Sequence, residues 1–294
     1  MQPPTASVRT TAPRCGATEP LLIDPGALLA WGVPQLRDLP WRRERDPWTV
    51  LVAEVMLQQT QAERVIPKWL AFLEAYPDPF TCASSSLGDV LRLWHGLGYP
   101  RRARNLRSAA EQVVERHNGQ VPDDLRALLA LPGIGPYTAR AVLAFAFERD
   151  VAVVDTNIAR VLARVVGERL TPKRAQQVAD ALVPVDHGWI WNQVIMDLGA
   201  TLCRPTPQCE ACPIAPACIW HVSGHPDPDP AVGSAGVSTR QAPFDGSDRQ
   251  ARGRVLAALH SGERPVEEFD DRILATLVAD GLVTVRGHVV SLPH

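Results

Sequence analysis

Apolar residues recur at intervals of three and four over most of the stretch from residue 21 to residue 220. The spacing fits a 3.6-residue period in 48–57, 64–75, 87–97, 103–116, 123–130, 137–147, 155–166 and 172–183, which predicts helices there. Pro and Gly punctuate the gaps, and Asp46-Pro47 and Thr171-Pro172 have the cap-then-proline form of a helix start. Two-residue alternation is absent from this region, so an all-α core is expected. The pattern lapses over 221–246, HVSGHPDPDPAVGSAGVSTRQAPFDG, which is rich in Pro, Gly and Ser, offers little to bury, and reads as a linker. It returns at Ser247 with helices expected over 248–261 and 266–279. LVTVRGHVVSL then alternates and turns at Arg286-Gly287, as a hairpin does. Two helices and a hairpin outline a winged-helix-like α+β module over 247–294, near the lower size limit for an independent core. Residues 1–20, rich in Pro, Thr and Ala, read as a disordered tail.

At 294 residues the chain can hold one large domain and a small one. With 46% hydrophobic and 21% charged residues it has the composition of a soluble globular protein. No run approaches the ~20 apolar residues of a membrane span, and the N-terminus lacks the apolar stretch of a signal peptide. A monomer in the cytoplasm, with no membrane partner, is expected. Eight Trp against three Tyr point to large apolar plugs between helices. The formal charge of −2 argues against a protein that coats nucleic acid by bulk electrostatics. Any such surface must be local. PRRARNLR, Pro100 to Arg107, carries four Arg and no acid; it is either a DNA-facing patch or a solvated helix face.

Four of the six cysteines fall together as Cys203, Cys209, Cys212 and Cys218, spaced C-x5-C-x2-C-x5-C. In a reducing compartment such a group reads as metal ligands rather than disulfides. Zinc ribbons present two close pairs separated by a longer loop. Here one close pair is flanked symmetrically, which suits a compact loop around an iron–sulfur cubane, with zinc as the alternative.

LPGIGPYTA, Leu131 to Ala139, lies between two predicted helices. Gly133 and Gly135 are expected in backbone conformations closed to other residues, and the following helix N-terminus makes an anion site suited to a DNA phosphate. An ordinary interhelical turn explains the same residues. Asp155 opens the helix of VDTNIARVLAR and serves as a cap in the simplest account. Glu54 stands nearly alone among apolar neighbours in WTVLVAEVMLQQT. It either faces solvent or occupies a desolvated site, where it would hold a proton at neutral pH.

Together LPW (Leu39 to Trp41), EVMLQQT (Glu54 to Thr60), LWHGLGY (Leu93 to Tyr99), RARNL (Arg102 to Leu106), LPGIGPYTA, VDTNIARVLAR, MDLGATLC and the cysteine loop resemble the MutY-type adenine DNA glycosylases of the helix-hairpin-helix superfamily. The likeness spans about residues 21–220. It implies a two-lobed core, a six-helix barrel module and a second module holding a [4Fe–4S] cluster, with DNA between them. It also implies that adenine is flipped out of double-stranded DNA in which it is mispaired with 8-oxoguanine or guanine. By the family's pattern Glu54 protonates the adenine, and Asp155 stabilises the oxocarbenium-like sugar. Tyr137 and Asn157 hold the geometry, and Gln59 and Tyr99 wedge into the duplex. Lyase relatives place a Schiff-base Lys where this chain has Tyr137, so a monofunctional enzyme leaving an abasic site is implied.

The chain departs from the family in three places. One residue fewer than usual separates Cys203 from Cys209. Pro100 stands where a second Tyr is common. The ~75 residues after the cysteines are too few for the nucleotide-hydrolase-like domain that reads 8-oxoguanine in many members, and the ending resembles actinobacterial versions. Two other readings stay open: an endonuclease III-like glycosylase/lyase for oxidised pyrimidines, and a non-catalytic DNA-binding module with a redox-sensing cluster. The C-terminal module could contact DNA, meet a repair partner, or cap the cluster.

Overall fold

The computed structural model describes residues 23–237 and 243–294; the expected tail at 1–20 lies outside the described residues. Among the described residues, fourteen α-helices and one small sheet follow in order: α1 (Pro25–Gly32), α2 (Pro47–Leu57), α3 (Ala62–Ala75), α4 (Pro79–Ser84), α5 (Leu87–Trp94), α6 (Arg101–His117), α7 (Leu125–Leu129), α8 (Pro136–Phe145), α9 (Thr156–Val166), α10 (Pro172–Leu182), α11 (Gly188–Thr201), α12 (Ile219–Val222), α13 (Asp248–Ala258), β1 (Arg264–Pro265), α14 (Asp271–Ala279), β2 (Thr284–Arg286) and β3 (Val289–Ser291). Local chemistry sets the starts. Asp46 accepts the Thr49 N–H ahead of α2, and Thr171 accepts that of Arg174 ahead of α10, each with Pro in the first turn.

The apolar faces form two cores. The first gathers α2 to α7 with one face of α8, around Trp48, Trp69, Phe72 and Trp94. The second gathers α1, α9, α10 and α11 with the other face of α8, and reaches Cys218 and Trp220 of the cysteine loop. Chain order and lobe are not the same thing: α1 packs against α11, so the described chain opens in the second lobe. Residues Val50 to Met56 of α2 are buried without a break, the mark of a helix enclosed on all sides.

The C-terminal module differs from its expected independence. Val255, Leu259, Leu277, Leu282 and Val290 belong to the first lobe's core, which relieves the small size of the module. The main-chain N–H of Gly88 donates to the Pro293 carbonyl at 2.8 Å. Asp280 takes Arg101 and Arg252 in ion pairs, and Arg104 donates to its carbonyl. The module therefore sits on the lobe of α5 and α6 rather than over the cysteines. Its sheet has order β1-β3-β2, all antiparallel, with Val285 opposite Val290. The helix expected from 266 begins only at Asp271, where Asp270 caps it; Arg264–Pro265 has instead joined the sheet.

Two further expectations change. The stretch 221–246 is not a free linker over its described first part. Asp229 pairs with Arg164 at 2.6 Å, the Ala235 N–H donates to the Leu170 carbonyl at 2.9 Å, and Ala231 and Ser234 are buried. Main-chain hydrogen bonds hold it where few apolar side chains could. The basic run is only partly outward-facing: Arg102 is buried, Arg104 and Arg107 are half-buried, and all three bond to protein groups, while Arg101 pairs with Asp280 and stays largely exposed.

Candidate active site

Glu54 lies on the enclosed helix α2, 4% exposed, and its Oε2 has no hydrogen-bond partner. Removal from water pushes its carboxyl up to about 7. The Tyr137 phenol, which hydrogen-bonds the Glu54 carboxylate, and the Arg42 charge oppose the rise, while the negative charge of Asp155 adds to it. The opening alternatives for Glu54 are thus decided for the desolvated site. Tyr137 comes from the first turn of α8, directly after the glycine turn, and burial beside Glu54 and Asp155 raises its phenol well above the ordinary value.

Asp155 is both a helix cap and a member of this group. Its Oδ1 accepts the Ile158 N–H at 2.7 Å at the start of α9, and its Oδ2 accepts Asn157 Nδ2 at 3.0 Å. Burial still raises its carboxyl above the usual range, against those donors and Arg160. Two side chains that sequence reasoning missed hold this corner. Asn192, buried on α11, accepts the Val153 N–H at 3.0 Å and donates to the carbonyls of Val151 and Gly188, fixing the extended approach to Asp155. Arg160 donates to Asn157 Oδ1 at 2.8 Å, to the Gly199 carbonyl and to that of Cys203, so it ties the acid to the cysteine loop. Asn157 packs so tightly on α11 that a Cβ at Gly199 would meet it at 2.7 Å. Nothing in the sequence marked these two, because the main-chain partners that fix them, at Val151 and Val153 for Asn192 and at Gly199 and Cys203 for Arg160, lie far along the chain.

The expected duplex-facing residues occupy three tips. Gln59, exposed, and Tyr99, half-buried, both adopt left-handed backbone, with φ of 56° and 49°. Arg102 holds both tips from beneath. It is buried on α6, and its guanidinium donates to the carbonyls of Val55, Met56 and Gln58 on one side and of Leu97 and Gly98 on the other. Burial lowers its pKa to about 10, so it remains a cation at neutral pH. In the third tip Gly133 has φ of 76°, and a Cβ there would strike Asn105 at 2.7 Å. Gly135 differs from expectation: its φ of −92° suits any residue, and a Cβ would meet open space. It leaves α8 without a side-chain cap, so the helix N-terminus keeps its anion-binding character.

Cys203, Cys209, Cys212 and Cys218 line one small chamber with Val161, Leu202, Ile214 and Trp220. Burial and the neighbouring thiols push Cys212 up to about 11 and raise Cys209 and Cys218. Four cysteines gathered this closely become thiolates together only around a positive centre, which fits a metal group. Arg164 lies against them, donating to Cys203 Sγ at 3.4 Å and to the Arg204 carbonyl at 2.7 Å. His221 and His225 bring ring nitrogens near Cys209 Sγ; they were not singled out in the sequence, although their i, i+4 spacing was visible. Among the described residues no helix is long and apolar enough to cross a membrane.

Residues 52–185 match the model of the HhH-GPD superfamily of base excision DNA repair proteins. The chain is 42% identical over 292 residues to an adenine DNA glycosylase of Mycobacterium tuberculosis (strain CDC 1551 / Oshkosh), covering 92% of this chain and 94% of that one. The uncovered remainder is too small to omit the C-terminal module. A thermostable thymine-DNA glycosylase is similar in structure with a TM-score of 0.65 and 30% identity, over 68% of this chain and 95% of its own. An endonuclease III bound non-covalently to DNA matches with a TM-score of 0.58 and 26% identity, over 66% of this chain and 92% of its own.

Proposed function

The chain belongs to the HhH-GPD superfamily and within it to the adenine DNA glycosylases, and from that premise we propose that it releases adenine mispaired with 8-oxoguanine or guanine, leaving an abasic site. The observation that carries the reading is the buried Glu54 carboxyl, protonated near neutral pH and with one oxygen unpartnered, beside Tyr137 and Asp155. An acid in that state can give its proton to a ring nitrogen of a flipped adenine. The C1′–N bond then breaks with its electron pair on the base. Asp155 stabilises the positive charge that develops on the sugar, and water completes the abasic site. Asn157 holds one Asp155 oxygen and Tyr137 holds Glu54, so each acid keeps its orientation.

Tyr137 offers no amine for a Schiff base, which favours hydrolysis without strand cleavage. Gln59 and Tyr99 enter the duplex, and the N-terminus of α8 behind Gly133 and Gly135 takes a phosphate. Cys203, Cys209, Cys212 and Cys218 would hold a [4Fe–4S] cluster as thiolates, whose negative charge its iron would balance, and the loop 203–218 would thereby be stiffened beside α9. Glu54→Gln tests the reading. Mispair binding should persist while adenine release stops; release at the wild-type rate would remove Glu54 from the mechanism. In the same gels the wild type should nick strands only after alkali or heat, and nicking without either would return the lyase alternative.

The small module over 248–294, two helices and a three-stranded sheet, motivates a second expectation, that 8-oxoguanine and guanine opposite adenine are distinguished weakly. Single-turnover rates on the two mispairs should lie within about an order of magnitude, and a much larger preference for 8-oxoguanine would contradict it.

A further inference from the structure

The C-terminal module touches the wedge loop at Tyr99, through Arg249, and at His95, whose ring lies 4.5 Å from that of His260. Arg249, in the first turn of α13, donates from Nη1 to the Tyr99 hydroxyl at 3.2 Å, and its guanidinium carbon lies 6.0 Å from the Tyr99 ring centroid. The same carbon lies 5.2 Å from the ring of Phe244, which is 52% exposed. The backbone that carries Phe244 is held in place. Its carbonyl accepts both the N–H and the hydroxyl of Ser247, the residue that caps α13. The module that carries the pair is anchored at the base of the same loop, where Asp280 holds Arg101 two residues beyond Tyr99.

We propose that Tyr99, Arg249 and Phe244 form a stacking platform for the base left unpaired on the strand opposite the excised adenine. The proposal rests on the reading of Tyr99 as a duplex wedge. An arginine alone would suit a phosphate, but an exposed phenyl ring beside it gains nothing there. An aromatic–guanidinium–aromatic set instead matches the flat face of a nucleobase, through stacking and cation–π attraction. Once adenine leaves the stack, its former partner is the base nearest the wedge that lacks a pairing partner. The platform joins Tyr99 to the C-terminal module, whereas the groups around Glu54 are Tyr137, Asp155 and Arg42.

Equilibrium binding by the intact protein tests this with a duplex in which a non-cleavable 2′-fluoro-adenosine faces guanine, and a second in which it faces a baseless tetrahydrofuran nucleotide. Phe244→Ala and Arg249→Ala should each weaken binding to the first duplex by about tenfold and leave the second nearly unchanged. Because Phe244 is exposed, its replacement does not threaten folding. Arg249→Lys, which keeps the donor but not the planar fork, should fall between. Equal losses on both duplexes, or no loss on either, overturn the platform. Tyr99→Ala separates the premise: adenine release at the wild-type rate in that variant refutes the wedge, whereas a platform failure leaves its release impaired and the Phe244 and Arg249 variants intact.

Discussion

At the scale of single residues, Glu54 sets a pH dependence of opposite sign to that of most carboxylates. Its carboxyl titrates near 7 in the folded chain against 4.5 when exposed, so between those values the native state holds a proton that the unfolded chain has released. Stability therefore falls as pH rises through this window, by about 3 kcal/mol at completion. Glu54→Gln, neutral at every pH, should raise the thermal midpoint at pH 8 and change it little near pH 4. A variant no more stable than wild type at pH 8 would show that the carboxylate finds compensation when ionised. If Glu54 gives the proton as proposed, adenine release should fall as pH climbs above about 7; a single-turnover rate flat from pH 6 to 9 would mean another group gives it. Glu54 was legible because a lone acid in an unbroken apolar helix has few explanations. Arg102 was not, because only its acceptors at the end of α2 and in the loop just before α6 distinguish it from the surface arginines it resembles in sequence.

Among elements, the junction of α9 and α11 carries the placement of Asp155. Asn192 satisfies a main-chain N–H and two carbonyls within the protein, and apolar replacement would strand all three. Asn192→Leu should cost roughly 2–4 kcal/mol by denaturant unfolding and lower adenine release further than the stability loss explains. Gly199→Ala should act on the same corner by pushing Asn157 away from Asp155, reducing the single-turnover rate with little change in affinity for mispaired DNA; an unchanged rate would show that α11 can yield. The starts of α2, α9 and α10 were readable from their caps. The helix α11 was not, since Trp191, Val194, Ile195 and Leu198 are buried along with Asn192, Gln193 and Asp197 and leave no clean polar face. The strand β1 escaped for a different reason: two residues carry no period, and their pairing with β3 is a tertiary event.

Across the whole molecule, the two lobes have unequal sources of stability. The first has a large apolar core, to which the C-terminal module adds its own; its sequence outline was legible as two helices and a hairpin, but its docking was not, because that depends on Asp280 meeting arginines far away in the chain. The second lobe leans on the cysteine loop, through Arg164 to Cys203, Arg204 and Asp229 and through Arg160 to Cys203 and Asn157. Cys212→Ser removes one thiol and leaves the other three around a centre with incomplete ligation. If the cysteine loop is what holds this lobe, the loss should propagate along Arg160 and Arg164 into α9, and from there to Asp155, without reaching α3 to α6. Hydrogen exchange should then show amides of α9 and α11 losing protection while those of α3 and α6 keep it, together with a fall in adenine release that parallels the exposure of α9. Uniform loss of protection across both lobes would show instead that the enclosed helices α2 and α8 bind them into one cooperative unit, and that the cysteine loop stabilises the fold as a whole.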